Sequence, residues 1–246
     1  MAKPERSPVA LGADAPVFEI MRTMRAMRRL RPDPVPEDVL TQLIEAATWA
    51  PSGGNAQSFR FVVVTDRARI SKVAELWREI STFYIEAFGG IRPPGTTAEM
   101  QERLGAALLY QRDHFHETPA LIVACYDPSE HAAAFREQAR HIMATLLRLG
   151  PRRALTVLRN MPNATRLGGA ASTYPAVQNL LLAARTLGLG ATITTWHLML
   201  ESEFKAALDI PKAVQTYAII PVGWPRGKLG PTSRRPAAEV IHRDHW

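Results

Sequence analysis

Three short apolar runs limit what this chain can fold into. "FRFVVVT" at residues 59–65, "TPALIVACYD" at 118–127 and "QTYAIIPVGWP" at 215–225 are dominated by β-branched and other apolar residues between polar or turn-forming ones, which is how strands read. "ATITTW" at 191–196 reads as a further strand. The long stretches between these runs carry apolar residues at three- and four-residue spacing, the period of a helix with one buried face. Few strands with helices in excess predict one small sheet packed by helices, an α+β or α/β arrangement. No internal repeat or long linker interrupts the pattern. Residues 16–246 therefore read as one domain, and 1–15, rich in Pro, Ala and Gly, as a flexible N-terminal arm.

The helices follow from the same period. Val17, Ile20, Met21, Met24 and Met27 predict a helix over 17–30, which "RPDPVP" must end, because its three prolines cannot donate backbone bonds. Pro36, Glu37 and Asp38 open a second helix, with acids favourable to its dipole. Its core face is Val39, Leu40, Leu43, Ile44 and Ala47, and it ends near Trp49. Residues 67–88, 97–113 and 131–149 read as helices, with "GGIRPPGTT" as a turn. Gly150-Pro151 predicts a break, 152–160 a short helical piece, and "MPNATRLGGA" the close of that excursion. Residues 172–187 read as a core helix stopped by Gly188 and Gly190, and "ESEFKAAL" as a short helix. The tail after 225 is too rich in proline and glycine for long helices.

Chemistry is constrained as much by what is missing. A single cysteine, Cys125, forbids an internal disulfide or thiolate zinc site and suits a reducing cytoplasm. No apolar run approaches the ~18 residues of a membrane span, and the N-terminus lacks a signal-peptide core. There is no G-x-S-x-G, no H-E-x-x-H and no paired histidine at metal spacing, so neither a catalytic side chain nor a metal site is expected. The formal charge of +7 is spread over three clusters. Residues 22–31 hold five arginines, 130–170 hold seven against Glu130 and Glu137, and Arg226, Lys228, Arg234 and Arg235 lie near the end. Separate clusters without a DNA-binding motif disfavour nucleic acid as the partner.

Two segments point to a ligand. On a helix Arg25 and Arg28 would be neighbours, and paired guanidinium groups suit a phosphate; taken alone they equally fit a solvated face. "PSGGNAQ" at 51–57 packs a serine, two glycines, an asparagine and a glutamine between helix and strand. It is neither a Walker loop nor a dinucleotide fingerprint, and its groups match the polar edge of a heteroaromatic ring or a ribityl chain. A plain helix cap and turn would read the same way. "GLGATITTW" offers Thr194 and Thr195 at a strand end, and "PTSRRP" fixes a basic pair between prolines.

Together "MRTMRAMRRLRPDPVP", "ATWAPSGGNAQSFRFVVV", "VQNLLLAARTLGLGATITT" and "AIIPVGWP" followed by "SRRP" resemble the nitroreductase family of flavoproteins, in the family's order and towards both ends of the chain. Residues 80–165 show little resemblance. What it implies is a nitroreductase-like α+β fold with a central, mostly antiparallel sheet surrounded by helices. It further implies an intertwined homodimer with FMN at the subunit interface. The family's phosphate segment, usually Arg-Arg-Ser-x-Arg, falls on Met24, Arg25, Ala26, Met27 and Arg28, so its first arginine and serine are absent here. The resemblance assigns Arg25, Ala26, Met27, Arg28 and Arg234 to the phosphate end. Pro51, Ser52, Gly53, Asn55 and Gln57 go to the ring and ribityl region, and Ile193, Thr194 and Thr195 to the neighbourhood of flavin N5. The implied activity is ping-pong reduction of nitroaromatics, quinones or similar acceptors by NAD(P)H. A reductive dehalogenase, a flavin-destroying synthase or a dehydrogenase on the same scaffold, and more remotely a basic nucleic-acid-binding protein, are the alternatives. The arginines of 130–170 are expected to form a cationic lid.

Overall fold

The computed structural model describes residues 17–92 and 95–246. The expected N-terminal arm lies outside them, as does Pro93-Pro94 in the expected turn. Four strands form an antiparallel sheet in the order β1-β2-β4-β3, with β1 Phe59–Val64, β2 Ala120–Tyr126, β3 Gly190–Ala191 and β4 Gln215–Gly223. The fold is thus α+β, with every named strand pair antiparallel.

Alternation along β2 builds both cores, because successive side chains leave opposite faces of a strand. Ile122 and Ala124 join Ile220 and Val222 of β4 under α2 (Glu37–Thr48) and α7 (Pro151–Thr186). Leu121, Val123 and Cys125 face Ile70, Val73 and Trp77 of α3 (Arg67–Phe88) and Phe204 of α8 (Glu201–Ala207). Both faces of the sheet are covered, so β2 reads as an unbroken apolar run. The helix starts are chemically marked. Asp66 accepts from the Arg69 amide at 2.8 Å to cap α3, and Thr97 accepts from the Met100 amide at 3.2 Å to cap α4 (Ala98–His114).

Four expectations are corrected. The first helix, α1 (Val17–Thr23), stops well short of Leu30. From Met24 the chain runs extended along the sheet: Ala26 bridges Ala191, the Met27 amide donates to the Ala191 carbonyl at 3.0 Å, and Leu30 bridges Pro225. The methionine spacing that mimics a helix instead buries Met27 and Leu30 over Gly190, where an added Cβ would lie 2.7 Å from Met27 Cγ. Arg25 and Arg28 are consequently not helix neighbours. Next, residues 131–149 are two helices, α5 (Ser129–Glu137) and α6 (Ala139–Arg148), parted at Gln138.

Third, α7 is one helix of 36 residues that passes through Pro162, Gly168, Gly169 and Pro175. Each internal proline deprives a carbonyl four residues earlier of its partner, here those of Leu158 and Ala171. Both belong to exposed residues, where water can take the acceptor. Gly169 is a crossing point and not a stop. An added Cβ would meet the Tyr217 hydroxyl at 2.5 Å, and that hydroxyl donates to the Arg166 carbonyl at 2.8 Å. The expected strand at 191–196 shrinks to β3, with a single further bridge from Thr194 to Ile219. Among the described residues no helix is long and apolar enough to cross a membrane.

Candidate functional site

A cleft of about 130 Å³ opens where the extended segment after α1 meets the end of the sheet. Arg28, Trp77, Leu108, Gln111 and residues 192–196 line it. The sheet positions one wall: Thr194 donates to the Ile219 carbonyl at 3.0 Å and accepts from the Ile219 amide at 2.9 Å. Its hydroxyl accepts from the Trp196 amide at 3.4 Å. The Thr194 amide is therefore engaged, leaving Ile193 and Thr195 as the exposed members of the triplet. The Met27–Ala191 bond anchors the opposite wall, and Arg28 follows it directly.

The electrostatics of this cleft are one-sided. Arg28 is half-buried, burial alone holds its pKa below the ordinary arginine value, and among the described residues no carboxylate pairs with it. The buried Thr192 hydroxyl and the Trp77 indole N–H also find no partner among the described residues. A buried polar group without a partner is costly, so unmatched donors beside an uncompensated cation mark a place for an anionic or carbonyl-bearing group. No cluster of His, Cys, Asp or Glu fit to hold a metal occurs among the described residues.

The other expected residues lie elsewhere in the chain. Arg25 and Ala26 are exposed, and Met27 is buried under the sheet edge. Arg234 is exposed; the nearby Thr232 amide donates to the Arg22 carbonyl at 3.1 Å, which brings the C-terminal segment beside the start of the Met24–Arg28 stretch. The loop at 51–57 contributes nothing to the cleft of its own chain among the described residues. It is held on α7 by the Gly53 amide donating to Ser172 Oγ at 3.1 Å, and closed by the Gln57 amide donating to Ser52 Oγ at 3.0 Å. Gly54, Asn55 and Gln57 all have positive φ, 59°, 53° and 51°. Left-handed backbone at a glutamine is strained, and such strain concentrates at ligand sites. Pro51, Gly53, Asn55 and Gln57 remain exposed.

Trp77, Gln111, Thr192 and Trp196 were not expected from the sequence. Gln111 carried a signal, since it interrupts Leu104, Leu108 and Phe115 at helical spacing and yet is 5 % exposed. Trp77 shares the face of Ile70, Val73 and Ile80 and reads as plain core.

Comparison with known proteins bears on the family. A dimethylbenzimidazole synthase (5,6-dimethylbenzimidazole synthase) from Rhodospirillum rubrum is 28% identical over 222 residues, 86% of this chain and 87% of that protein. An NADH dehydrogenase from Thermus thermophilus is 26% identical over 223 residues, 88% and 90% of the two chains. The structure of an iodotyrosine deiodinase bound to FMN and 3-iodo-L-tyrosine superposes with a TM-score of 0.62 at 21% identity, covering 94% of this chain and 100% of that one. The model of the nitroreductase family matches residues 21–224, a span running from the extended Met24–Arg28 stretch through the cleft wall to the end of β4. With a helix-covered antiparallel sheet beneath that match, this chain belongs to the nitroreductase family.

Proposed function

We propose that the protein is an FMN-dependent oxidoreductase that accepts hydride from NAD(P)H and passes electrons to a flat, electron-poor acceptor such as a nitroaromatic or quinone. The observation that carries this reading is the Arg28 cleft, lined together by a guanidinium with no carboxylate partner, by Trp77 and Thr192 with their unmatched polar atoms, and by Ile193, Thr194 and Thr195. Those groups fit the carbonyl- and nitrogen-bearing edge of an isoalloxazine. When bound, the flavin would supply the redox chemistry; the protein supplies position and charge. Arg28, which the resemblance put at the phosphate, lines the same cleft as Ile193, Thr194 and Thr195 and in this reading would offset negative charge that builds on the reduced ring. Thr195, through its exposed amide or hydroxyl, would donate to the ring edge, a role closed to the Thr194 amide. Arg25 and Arg234 would hold the phosphate, since charge-assisted bonds from guanidinium groups suit it. Ala26 and Met27 would shape that end of the pocket.

In this reading residues 16–246 form one domain and the working unit is a cytoplasmic homodimer. Pro51, Gly53, Asn55 and Gln57, exposed, and the half-buried Ser52, none of which lines the cleft of its own chain, complete the cleft of the second copy. The arginines of 130–170 then lie over the entrance and favour NADPH or an acidic acceptor. The purified protein incubated with FMN should retain it with flavin absorption bands after gel filtration, and Arg28→Met should release most of it. A protein that stays colourless overturns the proposal. Anaerobic titration with NADH and NADPH identifies the donor. Similarity to the Rhodospirillum synthase supports a second reading, a flavin-destroying synthase. Loss of flavin absorption with a new aromatic product under reductant and oxygen would select it.

A further inference from the structure

The cleft wall includes the two central rings of a continuous aromatic column. Trp196 and Trp77, which both line the cleft, stack with ring centroids 5.1 Å apart and an interplanar angle of 14°. Trp77 stacks on Phe115 at 5.0 Å, and Trp196 on Tyr84 at 4.2 Å with an angle of 28°. The four rings come from α3, the segment after β3 and the turn after α4, so three separate elements are held in one stack. Aliphatic side chains would fill such a core equally well. What two indoles and a phenol add is easily oxidised π-systems in contact, from the cleft to a half-buried tyrosine.

We propose that Trp196, Trp77 and Tyr84 form an electron-donating relay from the protein surface to a one-electron oxidant in the Arg28 cleft, the oxidant being blue-light-excited flavin. This rests on the reading of the cleft as a flavin site. In the step itself, the excited isoalloxazine takes one electron from the Trp196 indole. The resulting positive charge is shared with stacked Trp77, and an electron from Tyr84 then restores Trp196. The Tyr84 phenol releases its proton to solvent, so the net change is one electron gained by the flavin and one electron and one proton lost by Tyr84. An external thiol can return both. Trp77 is not the terminus, because it is 2 % exposed and its N–H has no acceptor among the described residues to take a proton. Tyr84 has a route to water. The relay would let light reduce the cofactor without nicotinamide and drain harmful excited states.

The test uses the full chain loaded with FMN. Retention is read first by absorbance, then bound-flavin fluorescence and transient absorption after a blue pulse, with a frozen illuminated sample for electron paramagnetic resonance. Wild type should be strongly quenched and should yield a tyrosyl radical. Trp196→Phe should raise flavin fluorescence several-fold, and Trp77→Phe should raise it less. Tyr84→Phe should keep the prompt quenching and lose the tyrosyl signal, while Tyr110→Phe, outside the column, should change neither. If no FMN is retained, the reading of the cleft fails and the relay with it. If FMN is retained but Trp196→Phe and Trp77→Phe are as quenched as wild type, or Tyr84→Phe keeps the radical, the relay alone is overturned. Should Trp196→Phe not fold, the Tyr84→Phe radical measurement decides.

Discussion

The two halves of α7 are one helix in two environments. From Gly169 to Thr186 it lies on the sheet, with Ala176, Val177, Leu180 and Ala184 at 0–1 % exposure. From Pro151 to Gly168 it leaves the body, and Leu155, Leu158 and Leu167 stand 69 %, 47 % and 52 % exposed among Arg152, Arg153, Arg159 and Arg166. The buried half owes its stability to tertiary packing. The projecting half touches α6 and little else in its own chain, yet keeps leucines in water. Exposed apolar residues rimmed by charge are a mark of interaction surfaces. One stretch of backbone thus serves both as scaffold and as an arm that its own domain does not cover.

Mutations break this comparison at graded cost. Leu180→Ala should destabilise the fold by about 2–5 kcal/mol, the range for opening a cavity in a packed core, and urea unfolding measures it. A loss under 1 kcal/mol would mean the sheet-facing half is not the anchor. His197, 1 % exposed beside Phe204, has no partner at either ring nitrogen among the described residues, and burial pushes its pKa down to about 4. The unfolded chain takes up the proton near 6.5, so the unfolded state binds more protons between these values and stability falls as pH drops through them. The loss should reach up to about 3 kcal/mol at the acid end and be absent in His197→Leu; an unchanged pH slope in that variant would assign the effect elsewhere.

Gly169→Ala should cost about 1–3 kcal/mol despite alanine's better helix propensity, because the Tyr217 hydroxyl must move. Combining it with Tyr217→Phe should recover much of that loss; no recovery would place the strain in some other contact. The smallest effect belongs to the arm. Leu155→Ser should change the stability of the isolated chain by no more than about 0.5 kcal/mol. If the arm docks on a second copy, the cost should grow with protein concentration, which sedimentation and concentration-dependent unfolding would reveal.

The cleft and the loop at 51–57 differ in how legible they were. The strand at 59–64, the helices at 37–48, 67–88 and 98–114, and the runs that became β2 and β4 followed from local period and capping, because burial repeats with the backbone. The α+β class came with the family resemblance, whereas the meeting of Arg28 with residues 193–195 in one cleft did not, since the resemblance put them at opposite ends of the ligand. Met27 and Leu30 misled because spacings of three and four fit a helix, while their actual burial comes from a sheet edge 160 or more residues away. Pro162 misled because proline's cost depends on whether the freed carbonyl can reach water, which sequence does not state. Trp77 and Gln111 stayed hidden since helices distant in sequence carry them to the cleft.

What the sequence settled by itself is local: which runs are apolar at period two or near four, where chemistry can start or end a helix, and which residues carry the family's signature. Only the tertiary structure decided that Met24–Arg28 is extended, that α7 runs unbroken, that the Thr194 amide is spent on Ile219, and that a stacked column of aromatic rings walls the cleft. The reason is that periodicity records whether a residue is buried and not what buries it. Partners far along the chain come into view only when it folds.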